Sequence, residues 1–335
     1  MNSLRTTLIE LDEADMRQSM ERILSHRLGR RVSIVRLDRE PSSYATLFPV
    51  EIVSVLTDAG DAARVFVKHF GDEESDHPDK QCREREVRVY EQLLQQDERL
   101  PVVRYYGSRA NSATGRREMY LEYVDDWKLK YHELRHWFTA ARALAQLHAH
   151  FARRREELLA CDFLMRFDER YLDGWVRRAA PVVSARYDGL GQQLGDLLRD
   201  SQGIIELIAR QPVTLVHNDL SAKNVIAAAA TDPARICIVD WEMAGIGCAL
   251  LDLVHLKYNR LDPENDRRFC EAYFDELGGD SELAPRDEGE RSRLLAACEW
   301  FTTAYRLAHC VAWNESAAHV AQRLDHLRDC AKRLE

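Results

Sequence analysis

The stretch HNDLSAKN, at positions 217–224, sets an aspartate and an asparagine five residues apart directly after an apolar run. An aspartate carboxylate can orient a hydroxyl group and accept its proton, and the side-chain oxygen of asparagine is a ligand that suits Mg2+. Asp219 suits the first task and Asn224 the second. The alternative is that these residue types fall at these positions by chance in a polar loop.

A second segment, ICIVDWE at 236–242, is an apolar strand-like run that ends in Asp240, sixteen residues after Asn224. A carboxylate at the end of a strand can ligate a metal ion, although by itself it is more often a turn former. The order and spacing of the two segments favour a role for Asp240 as a metal ligand rather than as a turn former. Glu242 follows closely and lies near the expected metal, but we do not place it among the principal residues.

These segments resemble the catalytic loop and the metal-binding segment of aminoglycoside phosphotransferases and of choline and ethanolamine kinases. The resemblance implies transfer of the γ-phosphoryl group of ATP, with GTP left open, to a hydroxyl group. It implies that Asp219 is the catalytic base and that Asn224 and Asp240 hold Mg2+. It also implies structural roles for His217, which shapes the loop by hydrogen bonding, and for Asp252, which braces it.

Lys68 lies near the end of the apolar run ARVFVKHF and resembles the lysine that binds the ATP phosphates in this fold. A helix glutamate normally orients such a lysine by pairing with its ammonium group. Glu86 is preferred over Glu84 and Glu91 because it lies one helical turn before Tyr90, on a face expected to be buried. An exposed lysine beside an ordinary charged helix is the alternative.

Two further nucleotide contacts follow from the resemblance. The segment MYLEYV, at 119–124, is similar to the family's hinge, so backbone groups near Glu122 and Val124 are expected to bind the adenine edge. An edge strand is the alternative. The phosphate-covering loop is expected near 41–46, PSSYAT, which contains no glycine. Protein kinases use glycines there because glycines let backbone amides approach the phosphates. Because this loop lacks them, the sequence does not decide whether the loop contacts the phosphates.

Hydrophobic patterning predicts an α+β protein with two lobes, and the family resemblance implies that these form the protein-kinase-like fold. Between about 32 and 124, short strand-type runs predict a small, mainly antiparallel sheet, interrupted by one helix, REREVRVYEQLLQQ. Long helical patterns dominate the rest. We therefore predict a nucleotide-binding lobe at 1–124 and a helical lobe at 125–335 that carries the catalytic loop and the acceptor site.

The net charge, the N-terminal sequence and the cysteine spacing indicate which partners the protein can bind and in which compartment we expect it. A net charge of -9 disfavours general binding to nucleic acid or to anionic membranes. The N-terminal residues form no apolar run of the signal-peptide or membrane-spanning kind, so we expect a cytoplasmic protein. A monomer and a homodimer are both left open. The eight cysteines include no C-x-x-C pair, which predicts reduced and mostly buried thiols.

The favoured function is an ATP- and Mg2+-dependent kinase that phosphorylates a hydroxyl of a small molecule. An aminoglycoside acceptor would favour clustered carboxylates, whereas a quaternary ammonium acceptor would favour aromatic side chains. The C-terminal part offers Trp300, Tyr305, His309, Trp313 and Asn314, but an aromatic stripe at helical spacing is more often packing. The alternatives are a kinase acting on peptide serine or threonine and a pseudokinase that binds nucleotide without turnover.

Overall fold

The computed structural model describes residues 13–42, 48–71, 77–82, 84–110, 117–258 and 260–335. By internal contacts the chain divides into two units. The first contains residues 1–126 together with 237–242, and the second contains 127–236 and 243–335. The first unit thus includes the short segment that carries Asp240. The predicted α+β class is confirmed.

The first unit is built on a five-stranded antiparallel sheet with the order β1-β2-β3-β5-β4. Segment 237–242 joins this unit through a parallel bridge of Ile238 with Val102 and a 2.8 Å hydrogen bond from Ile238 N to Pro101 O. The elements are α1 (Glu13–Leu28), β1 (Ile34–Pro41), β2 (Val50–Thr57), β3 (Ala62–Phe70), α2 (Arg85–Gln92), β4 (Tyr105–Ala110) and β5 (Arg117–Glu122).

Helix α1 is a second helix in this unit, beside the α2 that the sequence pattern indicated. Its buried side chains recur at three- and four-residue intervals, the spacing of one helix face. They pack on one face of the sheet and form a single apolar cluster with it. The helix contributes Met16, Met20, Ile23 and Leu24, and the strands contribute Val53, Val55, Val65, Val67 and Tyr120.

The second unit is mainly helical. Several of its helices begin at a residue whose side chain accepts a backbone N–H, as Asp168, Asp262, Asp287 and Ser316 do. No helix in the described part of the chain is both long and apolar enough to cross a membrane. The helices are α3 (Leu134–Ala152), α4 (Arg155–Ala160), α5 (Glu169–Ser184), α6 (Leu190–Leu198), α7 (Gln202–Ala209), α8 (Leu250–Lys257), α9 (Pro263–Leu277), α10 (Glu288–Leu307) and α11 (Ala317–Lys332).

Short strands support the functional loop of this unit. They are β6 (Met165–Arg166), β7 (Val213–Val216), β8 (Val225–Ala228) and β10 (Gly245–Cys248), together with the first two residues of β9 (Arg235–Ile238), whose last two residues belong to the first unit. β10 lies between β6 and β7, and β8 pairs with β9. Close packing of β10 on Phe167 requires glycine, because a Cβ at Gly245 would lie 2.4 Å from the Phe167 ring. Gly245 therefore lets β10 pack against Phe167 while β10 pairs with β7, the strand that leads into 217–224.

Candidate functional site

The loop that follows β7 is held by its own hydrogen bonds. Asn224 Nδ2 donates to the backbone oxygen of Asp219 at 2.8 Å, and the N–H of Asn224 donates to Ser221 O at 2.8 Å. The N–H of Asp219 donates to Nδ1 of His217 at 3.3 Å, so the predicted loop-shaping hydrogen bond of the histidine is confirmed. The Asp219 carboxylate is 31% exposed and lies 3.4 Å from Nζ of Lys223. It can therefore meet a substrate hydroxyl.

Asp252, in the first turn of α8, anchors this loop from beneath. Its two carboxylate oxygens accept the backbone N–H groups of His217 at 2.6 Å and of Asn218 at 2.8 Å. The side chain is fully buried. Burial alone would raise the pKa of Asp252, but the hydrogen bond with His148 and the nearby His217 lower it below its ordinary value. The predicted bracing role of Asp252 is confirmed.

His148 is a supporting residue that the sequence analysis missed. It lies on α3, with Nδ1 2.8 Å from Tyr273 Oη and Nε2 3.5 Å from Asp252 Oδ2. Both partners are more than 100 positions away in the chain. The available signal was a histidine on the buried face of an apolar helix, next to Leu144 and Ala152. That pattern indicates a buried histidine but does not identify its partner.

In the first unit, Lys68 lies between two carboxylates. Its Nζ is 2.6 Å from Oε2 of Glu86 and 2.8 Å from Oδ1 of Asp240. Of the other glutamates considered, Glu84 pairs with Arg117, and Glu91 accepts hydrogen bonds from Tyr105 and Ser108. Although burial opposes a charged lysine, Asp240 and then Glu86 raise the pKa of Lys68 above its usual value. The ammonium group therefore stays charged and oriented.

Glu242 belongs to the same cluster. Its carboxylate pairs with Lys80, and its backbone oxygen accepts a 2.7 Å hydrogen bond from Arg85, the first residue of α2. Among the described residues, Asn218, Asp240 and Asn314 are the non-glycine residues with positive φ. Two of them lie in the motifs singled out from the sequence. Such backbone conformations concentrate at functional sites, because the surrounding structure must hold them.

The predicted adenine segment lies at the end of β5. The N–H of Glu122 donates to Arg104 O at 2.9 Å, and its carboxylate accepts from Arg104 N at 3.1 Å. Adenine binding would therefore use other backbone atoms of this segment, such as those near Val124, which follows the strand. Of the expected phosphate-covering loop, Pro41 ends β1 and Ser42 N donates to Val50 O at 2.9 Å. Positions 43–46 lie outside the described residues.

Most of the aromatic residues singled out in the C-terminal part are buried by packing, and one is partly exposed. Trp300 is almost completely buried, and Tyr305 and His309 pack on Trp175 of α5 with ring centroids 4.9 and 4.6 Å apart. Trp313 stacks on His309 at 5.1 Å and stays 48% exposed. Asn314 accepts a 2.7 Å hydrogen bond from Arg186.

The predicted site residues are thus arranged in two groups. The first unit brings together Lys68, Glu86 and Asp240 around one buried ammonium group. The second unit brings Asp219 and Asn224 together on one anchored loop. Glu122 and Val124 lie in the first unit, at the end of β5 and just after it.

Comparisons with known folds give the class of protein. A candidate aminoglycoside phosphotransferase from Ralstonia eutropha JMP134 superposes with a TM-score of 0.58 at 14% identity, over 94% of this chain and 96% of that one. A candidate fructosamine-3-kinase from Thermobifida fusca YX-ER1 gives 0.58 at 17% identity, over 90% and 95%. The GDP complex of aminoglycoside 2'-phosphotransferase-IIIa gives 0.53 at 13% identity, over 94% and 99%. The fold is therefore protein-kinase-like, as predicted.

The family follows from the sequence itself. Residues 53–291 match the model of the phosphotransferase enzyme family that includes the aminoglycoside phosphotransferases. The match covers most of the chain and both groups of site residues. A search of the curated proteins finds no match. The chain belongs to this phosphotransferase family and is an enzyme of the kinase class.

The Lys68 cluster leads to a prediction for catalysis. Lys68→Ala removes a buried, pre-oriented ammonium group, so we expect kcat/KM for the nucleotide to fall by about a hundredfold to a thousandfold. Arg36→Ala removes an exposed cation of β1, where it pairs with Asp38 at 2.7 Å, and should leave kcat/KM near the wild-type value. Steady-state kinetics at varied nucleotide concentration make the comparison. Equal kinetics in both variants would show that Lys68 does not position phosphate.

Proposed function

We propose that this enzyme transfers the γ-phosphoryl group of ATP to a hydroxyl group of a small molecule. The observation that carries the proposal is the anchored loop, in which Asp252 holds the backbone and leaves the Asp219 carboxylate partly exposed. A carboxylate held in this way can orient the acceptor hydroxyl and accept its proton as the phosphoryl group arrives. Phosphoryl transfer otherwise depends on positioning and charge neutralisation.

The nucleotide would be held by the first unit. Lys68, fixed by Glu86, would bind the phosphates, and backbone groups near Glu122 and Val124 would bind the base. The GDP complex of a structurally similar phosphotransferase supports nucleotide binding and keeps GTP open as a donor.

The residues assigned to the metal fit Mg2+ in donor type. Asp240 and Asn224 offer oxygen atoms, which Mg2+ prefers, and Asn224 Nδ2 is engaged with the Asp219 backbone, so its amide oxygen faces the other way. When bound, Mg2+ would neutralise charge that develops on the phosphates. Lys68 pairs with Asp240 and would hold that carboxylate in place.

Removal of the Asp240 carboxylate tests the metal assignment. Asp240→Ala should weaken nucleotide binding in the presence of Mg2+ by at least about tenfold and abolish the difference between titrations with and without the metal. Isothermal titration calorimetry measures both affinities. Asp61→Ala, which removes a half-exposed carboxylate paired with Arg30, is the matched control and should keep the metal dependence. A full metal dependence in Asp240→Ala would contradict the assignment.

A small molecule is favoured over a peptide as acceptor because a long helical insert, α4 to α7, precedes the catalytic loop in the second unit, and the family resemblance implies that this insert helps to bind the acceptor. Tyr171 Oη accepts a 3.3 Å hydrogen bond from Asn218, and its ring lies 6.4 Å from that of Trp175. A screen of nucleotide consumption against aminoglycosides, choline, ethanolamine, sugars and hydroxyl-bearing peptides tests the choice. Turnover restricted to peptides would contradict it, and nucleotide binding without any turnover would indicate a pseudokinase.

A further inference from the structure

Two neighbouring side chains of the catalytic loop approach the same oxygen of the proposed base. Nζ of Lys223 lies 3.4 Å from Oδ2 of Asp219, and Nδ2 of Asn224 lies 3.4 Å from the same atom. Within the described part of the chain, the other carboxylate oxygen, Oδ1, has no hydrogen-bond or ion-pair partner. Oδ1 can therefore accept from an acceptor hydroxyl while Oδ2 faces the ammonium group of Lys223.

The ion pair between Lys223 and Asp219 contributes little to stability. The Lys223 side chain is 53% exposed and that of Asp219 is 31% exposed, and such pairs typically contribute about 0–1 kcal/mol. The backbone of the loop is already anchored by the buried Asp252. Because the lysine side chain is long and flexible, its ammonium group can exchange Asp219 for an oxygen of a substrate at little cost in free energy.

The geometry of phosphoryl transfer brings the reacting phosphorus close to this ammonium group. A hydroxyl held by Asp219 lies about 2.6–3.2 Å from Oδ1, and the phosphorus lies about 3–3.5 Å from the hydroxyl oxygen before transfer. Nζ of Lys223 lies 3.4 Å from the neighbouring oxygen of the same carboxylate. A rotation of the exposed lysine side chain can therefore bring its ammonium group into contact with an oxygen of the transferred group.

The charge of the transferred group requires such a cation. It is spread over three equatorial oxygens, and catalysis depends largely on its neutralisation. Lys68 would bind the phosphates from the first unit. In the sequence of the loop, 217–224, Lys223 is the one lysine or arginine, and it directly precedes Asn224, which is assigned to Mg2+. The loop that holds the acceptor thus supplies its own positive charge.

We propose that Lys223 is a further catalytic residue, whose ammonium group contacts an equatorial oxygen of the phosphoryl group during transfer. The inference rests on the proposed function, because it assumes that Asp219 holds the acceptor hydroxyl. In this step the acceptor oxygen forms the new bond to phosphorus, and the bond from the γ-phosphorus to the bridging oxygen breaks. The electron pair of that bond leaves with ADP. The hydroxyl proton goes to Asp219, and Lys223 keeps its own proton.

Replacement of Lys223 by methionine tests the contact, because methionine keeps a long unbranched side chain without the charge. ADP release is followed with kanamycin, choline, ethanolamine and glycerate as acceptors, and with water alone. Lys223→Met should lower kcat by about tenfold to a hundredfold, less than the loss of a buried donor, because the ammonium group is exposed. KM for ATP should change by less than about twofold, since the contact forms in the transition state. Lys223→Arg should keep part of the activity.

Lys332→Met is the matched control. Lys332 is an exposed lysine of the same unit that pairs with an aspartate, Asp329, at 3.2 Å. Its kcat should match that of the wild-type enzyme, and melting temperatures show which variants are folded. A wild-type kcat in Lys223→Met, together with turnover that is lost in Asp219→Asn, overturns the inference and leaves the proposed function standing. No consumption of ATP by the wild-type enzyme with any acceptor or with water contradicts both.

A double substitution separates contact with the phosphoryl group from an effect that acts through Asp219. Single turnovers with radiolabelled ATP and excess enzyme measure the residual rate of Asp219→Asn. Adding Lys223→Met should lower this rate further, because the ammonium group would contact the transferred group directly. An unchanged residual rate in the double variant means that Lys223 acts only on the position of Asp219, and it overturns the catalytic role.

Discussion

Asp219→Asn is expected to lower kcat by about two to four orders of magnitude, because the amide cannot accept the proton of the acceptor hydroxyl. The substitution keeps the size of the side chain and its position beside Lys223 and Asn224. Nucleotide affinity, measured by calorimetry with Mg2+, should therefore stay near the wild-type value. A selective loss of kcat is typical of a group that acts in the transition state.

The control for this variant is Asp196→Asn, in which an exposed carboxylate of the same unit, paired with Arg199, loses its charge. Its kcat should match that of the wild-type enzyme. Single-turnover measurements with saturating nucleotide separate the chemical step from product release. If Asp219→Asn turned over at the wild-type rate in such an experiment, the catalytic base would have to be another group.

Asp252→Ala should produce the largest loss of stability among single substitutions at the site. It leaves the backbone N–H groups of His217 and Asn218 without their acceptor in a fully buried position. It also removes one of the two side-chain partners of His148 described above. We expect the free energy of unfolding to fall by about 3 kcal/mol or more, since unsatisfied buried groups cost about 1–3 kcal/mol each.

Denaturant unfolding measures this loss, with Asp168→Ala as the matched control. Asp168 also accepts a backbone N–H, from Tyr171 at 2.9 Å, but it does so at the exposed start of α5. The loss of such a helix cap costs about 1 kcal/mol. Equal destabilisation in the two variants would show that the buried hydrogen bonds of Asp252 do not stabilise the loop beyond an ordinary cap.

Local pattern was sufficient to predict much of the candidate site. Asp219, Asn224 and Asp240 lie within one short stretch of sequence. Their order and spacing can therefore be recognised without knowledge of the fold. The pairing of Lys68 with Glu86 followed from helical phase, because only one of three nearby glutamates shares the buried face with Tyr90. The structure contains the Lys68–Glu86 pair, because short-range spacing determines which side of an element a residue occupies. The roles of Asp219, Asn224 and Asp240 stay predictions.

Long-range contacts were not predictable in the same way. The hydrogen bond of His148 to Asp252 joins α3 to α8, and nothing local in either helix identifies the other. The inclusion of segment 237–242 in the first unit depends on backbone pairing with Pro101 and Val102, which hydrophobic pattern does not encode.

The most direct test of the central claim is detection of the phosphorylated product. The enzyme is incubated with Mg2+, ATP and acceptors of the hydroxy acid, amide, amino alcohol and aminoglycoside classes, and the products are observed by 31P NMR and mass spectrometry. We predict a phosphate monoester that forms in equal amount to ADP, requires both the acceptor and Mg2+, and is lost in Asp219→Asn. Nucleotide binding with no monoester from any acceptor, or an equal yield from Asp219→Asn, would contradict the claim.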